Sequence, residues 1–139
     1  MASHLNPYIT FDGNAREAME FYHSVFGGDL RINTFGEFGA DDPALADKVM
    51  HAMLTSPKGY MLMASDTAPG MTVTPGSTIS ISLSGDPGEG LEDVWDKLAD
   101  GGTVHMPMEK QMWGDVYGQL TDRYGINWMV DVVSADQQQ

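Results

Sequence analysis

The feature that most constrains this chain is an internal repeat. Shifted by 74 residues, Ile9 meets Leu83, Asp12 meets Asp86, Phe21 meets Trp95, and Gly27–Gly28 meets Gly101–Gly102. Later in each half a second register appears at an offset of 66, where Gly59-x-x-x-Met63 matches Gly125-x-x-x-Met129. Two copies are too few for a stacked solenoid. They predict two modules, about 5–66 and about 77–133, within one domain spanning the 139 residues.

Each module carries the same element signals. Residues 14–26 place Ala15, Ala18, Met19, Tyr22, Val25 and Phe26 on one helical stripe. Asn14 and Glu17 have capping-box spacing, and Gly27–Gly28 ends the run. Residues 88–99 repeat the design with Leu91, Val94, Trp95, Leu98 and Ala99, with Asp86 as the expected cap and Pro87 near the first turn. Strands are expected at 5–11, 29–36, 48–55, 59–65, 77–84, about 102–106, 115–121 and 126–133. The clearest is 77–84, where Ile79, Ile81 and Leu83 alternate with Ser80, Ser82 and Ser84. Residues 37–47, 66–76 and 107–114 read as surface loops rich in turn formers. The expectation is therefore an α+β fold of two βαβββ modules. A strand, a helix and three strands cannot close a sheet alone, whereas two such modules can build a curved, cleft-bearing mixed sheet with helices outside.

Charge and composition narrow the partners. Seven Lys and Arg against 20 Asp and Glu give a net charge of −13, and the cations are scattered singly. Phosphate backbones and anionic membranes need clustered Lys and Arg, so neither nucleic acid nor membrane is an expected partner. No cysteine is present, which excludes disulfides, thiolate metal sites and cysteine nucleophiles. No apolar run approaches the ~18 residues of a membrane span, and no secretory leader is visible, so a cytoplasmic setting is expected.

Several blocks together resemble the PhnB-like family of the vicinal oxygen chelate (glyoxalase/bleomycin-resistance/dioxygenase) superfamily. They are Pro7-Tyr8-Ile9-Thr10-Phe11-Asp12-Gly13-Asn14, Glu17 to Tyr22, Phe26-Gly27-Gly28, Met50-His51-Ala52, and Met63-Ala64-Ser65-Asp66. Trp113-Gly114-Asp115, Tyr117-Gly118 and Thr121 to Met129 follow in order. The family is also labelled as resembling a demethylubiquinone methyltransferase, yet no Gly-rich strand–helix turn for a nucleotide-like cofactor is present. The resemblance implies a homodimer, for which exposed strand edges give a physical motive.

The resemblance also implies a divalent metal held by a His or Gln on the first strand of each module and a Glu on the last. Those four slots hold Asn6, Met63, Ser80 and Met129, and a slip of two positions gives Tyr8, Ser65, Ser82 and Asp131. Thioethers and hydroxyls are poor ligands for a hard divalent cation. No cofactor is therefore expected, with a divalent metal as the alternative.

The functional reading is a small-molecule-binding protein of the glyoxalase/bleomycin-resistance type without the usual metal. Its expected substrate-binding residues are Tyr8, Met63, Ser80, Ser82, Trp113 and Met129. The alternative is a glyoxalase- or dioxygenase-class lyase or isomerase using His51 as general base, an imidazole titrating near neutrality. A plain alternative stands beside each residue. His51 can be a histidine satisfied at a sheet face, and the methionines, 11 in all, can be core filling. Trp113 can be a loop anchor or dimer contact, Trp128 reads as core, and Ser65–Asp66 reads best as the start of a turn. His105 is a weaker candidate, and His4 and His23 are expected at the surface.

Overall fold

A computed structural model describes residues 3–134. The chain divides between Thr74 and Pro75 into two compact units. The first contains β1 (Tyr8–Phe11), α1 (Ala15–Phe26), β2 (Asp29–Thr34), a 3₁₀ turn (Gly36–Phe38), the one-turn α2 (Pro43–Ala46), β3 (Val49–Thr55) and β4 (Met61–Asp66). The second contains β5 (Ile81–Gly85), α3 (Leu91–Ala99), β6 (Thr103–Lys110), β7 (Val116–Thr121) and β8 (Asn127–Val132). The fold is α+β, with two four-stranded mixed sheets ordered β1-β4-β3-β2 and β5-β8-β7-β6. In each, the first strand pairs in parallel with the last and the other pairings are antiparallel.

The repeat is visible bond by bond. Ser56 N–H donates to Tyr60 O and Gly59 N–H to Ser56 O; Asp122 N–H donates to Ile126 O and Gly125 N–H to Asp122 O. These are the same turn at the 66-residue offset. The paired glycines close each helix against that hairpin. A Cβ on Gly28 would lie 2.1 Å from Thr55 O, and one on Gly102 would lie 2.4 Å from Thr121 O. No side chain fits between the backbones at either place.

Strand alternation puts one face of each sheet under its helix. In the first unit Phe11, Ala52, Leu54, Leu62 and Ala64 are buried with Ala18, Met19 and Tyr22 of α1. In the second, Leu83, Leu120, Trp128 and Val130 are buried with Leu91, Trp95 and Leu98 of α3. At about 1.5–3 kcal/mol per fully buried large side chain, these layers supply the main drive to fold. The alternate residues form an open face on each sheet.

Three local expectations are corrected. Asn14 makes no side-chain cap on α1. The carboxylate of Asp66, at the end of β4, does that work instead: its Oδ1 accepts Ala15 N–H at 2.9 Å and its Oδ2 accepts Val49 N–H at 2.9 Å. Asp66 is thus a buried stitch between helix and sheet, not the opening of a turn. The second helix starts at Leu91 rather than 88, because Asp86–Glu89 forms a turn and Gly90 adopts a left-handed conformation (φ 80°). Finally, β6 runs on to Lys110 through much of the expected loop, since antiparallel pairing with β7 continues to Lys110↔Val116. The loop shrinks to 111–115, and His105 lies within a strand.

Candidate functional site

In the first unit, β1–β4–β3 pairing places Tyr8 opposite Met63 and Met63 opposite Met53. One step along, Thr10 faces Ser65, and on the far side His51 faces Asn33. The Tyr8 hydroxyl and His51 Nδ1 are 3.3 Å apart, within hydrogen-bond distance, and the two rings are tilted at 30°. The open face therefore joins Tyr8, Met63 and His51, three residues singled out from the sequence, with Met53 beside them. Tyr8 is half exposed, so this phenol–imidazole pair is reachable from solvent.

In the second unit the same register pairs Ser82 with Met129 and Met129 with Gln119. Ser80 precedes β5. It lines a cavity of about 180 Å³ with Ser77, His105, Gln119 and Asn127. A hydrogen-bond chain runs along this cavity. Thr121 Oγ1 donates to Asn127 Oδ1 at 2.7 Å, so its single hydrogen is used and His105 Nε2 donates to it, also at 2.7 Å. Asn127 Nδ2 then donates to Gly76 O at 3.2 Å.

Trp113 lies toward the other end of β7. Its ring meets Tyr117 edge-on at 5.9 Å. The register thus separates Trp113 from Ser80, while Ser82 and Met129 form a pair. Trp128 is core, with its indole N–H donating to Asp122 Oδ2 at 2.8 Å. His4 is exposed, and His23 Nε2 bonds Gly28 O at 2.9 Å.

Sequence reasoning missed a carboxyl pair on this second open face. Asp131 faces Tyr117 across β8–β7, and Asp115 stands two residues before Tyr117. Asp115 is buried and its Oδ1 accepts Ser134 N–H at 2.8 Å. That bond holds its carboxyl below the usual carboxylate range, against the effect of burial. Asp131 behaves oppositely. Burial first, and then the hydrogen bond and charge of Asp115, push it up to about 6. Its Oδ1 is buried without a hydrogen-bond partner. The available signal was the two-position slip of the ligand slots, which lands on Asp131.

The donor set does not fit the metal that the fold implies. The register makes Tyr8/Met63 and Ser82/Met129 equivalent cross-strand pairs of the two parallel ladders. Asn6 and Ser80 lie outside their strands. Among the described residues no group of three His, Asp or Glu is placed to hold a metal ion. A phenol, hydroxyls and thioethers do not make a hard divalent site.

Comparison with known proteins first places the fold. The fold matches a glyoxylase/bleomycin resistance protein/dioxygenase domain from Frankia, with a TM-score of 0.66 over 97% of this chain and 94% of that one at 14% identity. The chain belongs to the family described as 3-demethylubiquinone-9 3-methyltransferase, whose model matches residues 3–131. The Pseudomonas aeruginosa protein PA1353 is 36% identical, with a TM-score of 0.84 over 96% of this chain and 99% of that one. A Bacillus cereus PhnB protein, described as a proposed 3-demethylubiquinone-9 3-methyltransferase, is 26% identical, with a TM-score of 0.71 over 94% of this chain and 100% of that one. No helix among the described residues is long and apolar enough to cross a membrane.

Proposed function

We propose that this protein binds a small, partly apolar molecule on its open sheet faces without the divalent metal typical of the fold. The observation that carries this reading is the content of the two parallel-ladder pairs, Tyr8/Met63 and Ser82/Met129. Thioethers are flexible and polarizable and suit an adaptable apolar floor. The flanking phenol and hydroxyls supply a few directional hydrogen bonds, the usual division of labour in a small-molecule site. Trp113, half exposed beside Tyr117, offers an aromatic wall. On this reading the protein works as a cytoplasmic homodimer.

Screening small molecules by thermal shift tests the reading, with Met63→Glu and Met129→Glu as site variants. A stabilising compound whose effect disappears in these variants supports it. A compound that stabilises only in the presence of added Mn²⁺ or Zn²⁺ contradicts it.

One observation favours a second reading, that of a lyase or isomerase. The Tyr8 hydroxyl at His51 Nδ1 is a general acid/base arrangement. His51→Ala separates the two: unchanged affinity with lost turnover makes the protein an enzyme, whereas reduced affinity alone makes His51 a binding residue.

A further inference from the structure

The cavity beside β6 is built from side chains whose hydrogen bonds dictate one another's direction. Asn127 Nδ2 donates to Gly76 O, and a backbone carbonyl can only accept, so the amide turns its Oδ1 to Thr121. Thr121 spends its one hydrogen on Asn127, and its oxygen is left to accept from His105. His105 Nε2 therefore carries a hydrogen. In the neutral imidazole Nδ1 is then a bare acceptor, on a side chain that lines the cavity. The tautomer of His105 is thus set by a backbone carbonyl at the far end of the chain of hydrogen bonds.

The other lining groups extend this polar set. One Nε2 hydrogen of Gln119 goes to the Tyr117 hydroxyl at 2.9 Å, and its Oε1 is a second acceptor. Ser77 and Ser80 bring hydroxyls that donate or accept. Among the described residues no Asp, Glu, Lys or Arg lines the cavity. A carboxylate placed here would meet bare acceptors and lose its hydration with no cation to offset it, and an ammonium would find no carboxylate. The set fits a neutral group that donates and accepts at once. At about 180 Å³ the cavity is smaller than the roughly 300–1,000 Å³ of a site for a whole drug-sized ligand, so it suits one functional group. Gln119 faces Met129 across β7–β8, which puts a thioether beside the cavity for the rest of the molecule.

Building on the ligand-binding reading above, we propose that this cavity binds the primary carboxamide head of the small, partly apolar ligand. The amide N–H groups donate to His105 Nδ1 and Gln119 Oε1. The amide oxygen accepts from the Ser77 or Ser80 hydroxyl, and the apolar remainder lies on Met129. His105 is a recognition residue in this site, and Thr121 and Asn127 are the positioning residues that hold its tautomer.

Benzamide, benzoate and benzamidine are the probes, since they carry one ring with a neutral amide, an anion and a cation in turn. Each is titrated by NMR into the full chain, labelled with ¹⁵N and with ¹³C at the methionine methyls. The expected result with benzamide is a saturable shift of the His105 ring nitrogens and the Gln119 side-chain amide, with the Met129 methyl moving at the same concentrations. Benzoate and benzamidine should bind at least about tenfold more weakly. His105→Phe, at an exposed position of β6, should weaken benzamide about tenfold and leave benzoate unchanged. Thr121→Val should change the His105 ring-nitrogen shifts of the unliganded chain, the signature of a released tautomer. Benzoate or benzamidine binding as tightly as benzamide overturns the proposal, and so does unchanged benzamide affinity in His105→Phe. If that variant does not fold, the wild-type shifts decide. Movement of Met129 without His105 and Gln119 overturns the carboxamide site and leaves the open-face reading standing. No saturable shift at any of the three also overturns it, and the open-face reading is then judged by the thermal-shift screen alone.

Discussion

The two modules share one backbone and have diverged on their open faces. At equivalent positions the first sheet carries Tyr8, Met63, Met53, His51 and Ser65, and the second carries Ser82, Met129, Gln119, Tyr117 and Asp131. The first face is thioether and aromatic with one imidazole. The second is amide, hydroxyl and carboxyl. Only the methionine at the parallel ladder is common to both. Their buried charges differ too. In the first unit Asp66 ties α1 to β3, while its counterpart in the second unit is the apolar Val132. The second unit puts its buried acids at Asp122 and Asp115 instead. The lesson is that the backbone turns preserve the repeat, while the exposed residues are free to specialise.

The largest expected effect probes what is shared. Gly28→Ala forces a Cβ into Thr55 O and also meets a left-handed φ of 90°. Gly102→Ala makes the equivalent clash against Thr121 O. We expect about 4 kcal/mol of destabilisation at Gly28 and about 2–3 kcal/mol at Gly102, read from urea denaturation. Equal, small effects at both would mean that the hairpins yield easily and that the shared turns do not hold the modules together.

Next come the buried acids that distinguish the units. Asp66→Ala leaves Ala15 and Val49 N–H groups unpaired, and we expect a loss of about 3 kcal/mol. Asp122→Ala removes acceptors for Tyr124 and Ile126 N–H and for the Trp128 indole, with a loss of similar size. Hydrogen exchange should show Val49 and Ala15 amides exposed only in the first variant.

A smaller effect depends on pH. Asp131 titrates near 6 in the fold and near its ordinary value of 3.8 when unfolded. Between those values the folded chain holds a proton that the unfolded chain has released, so stability falls as pH rises from about 4 to about 6. The full shift corresponds to about 3 kcal/mol, and solvent screening reduces this to about 1–2 kcal/mol. Asp131→Asn should therefore flatten the dependence of Tm on pH in this window and raise Tm at pH 8. Ser65→Ala, at the equivalent position of the first sheet, should leave it unchanged.

The smallest effect is at Tyr8→Phe. Loss of one exposed hydroxyl contact to His51 should cost less than about 1 kcal/mol of stability. Its consequence belongs to binding, and comparison with Ser82→Ala would show which face contributes more to ligand affinity.

The fold was legible because its signals are local. Helical stripes such as Ala18-Met19-Tyr22 and alternation such as Leu83 against Ser82 and Ser84 report burial directly, and the two offsets report the pairing of turns. The misplaced ends were decided by distant contacts. Nothing near Asn14 announces that Asp66, 52 residues on, takes the N-terminus of α1. The site was legible in part. Slot counting singled out Met63 and Met129, and the register puts each beside a residue also singled out, Tyr8 and Ser82. Of Asp115 and Asp131, only Asp131 was legible, through the two-position slip of the ligand slots; that the two share a face depends on strand register between residues 16 apart.

Calorimetric titration of the untagged, chelator-stripped protein with Mn²⁺, Zn²⁺, Ni²⁺ and Fe²⁺ decides whether the open faces hold a metal ion. The ladder pairs Tyr8/Met63 and Ser82/Met129 predict no saturable site near one ion per chain. Micromolar or tighter binding at that stoichiometry would contradict the account and turn attention to metal-dependent lyase and dioxygenase chemistry.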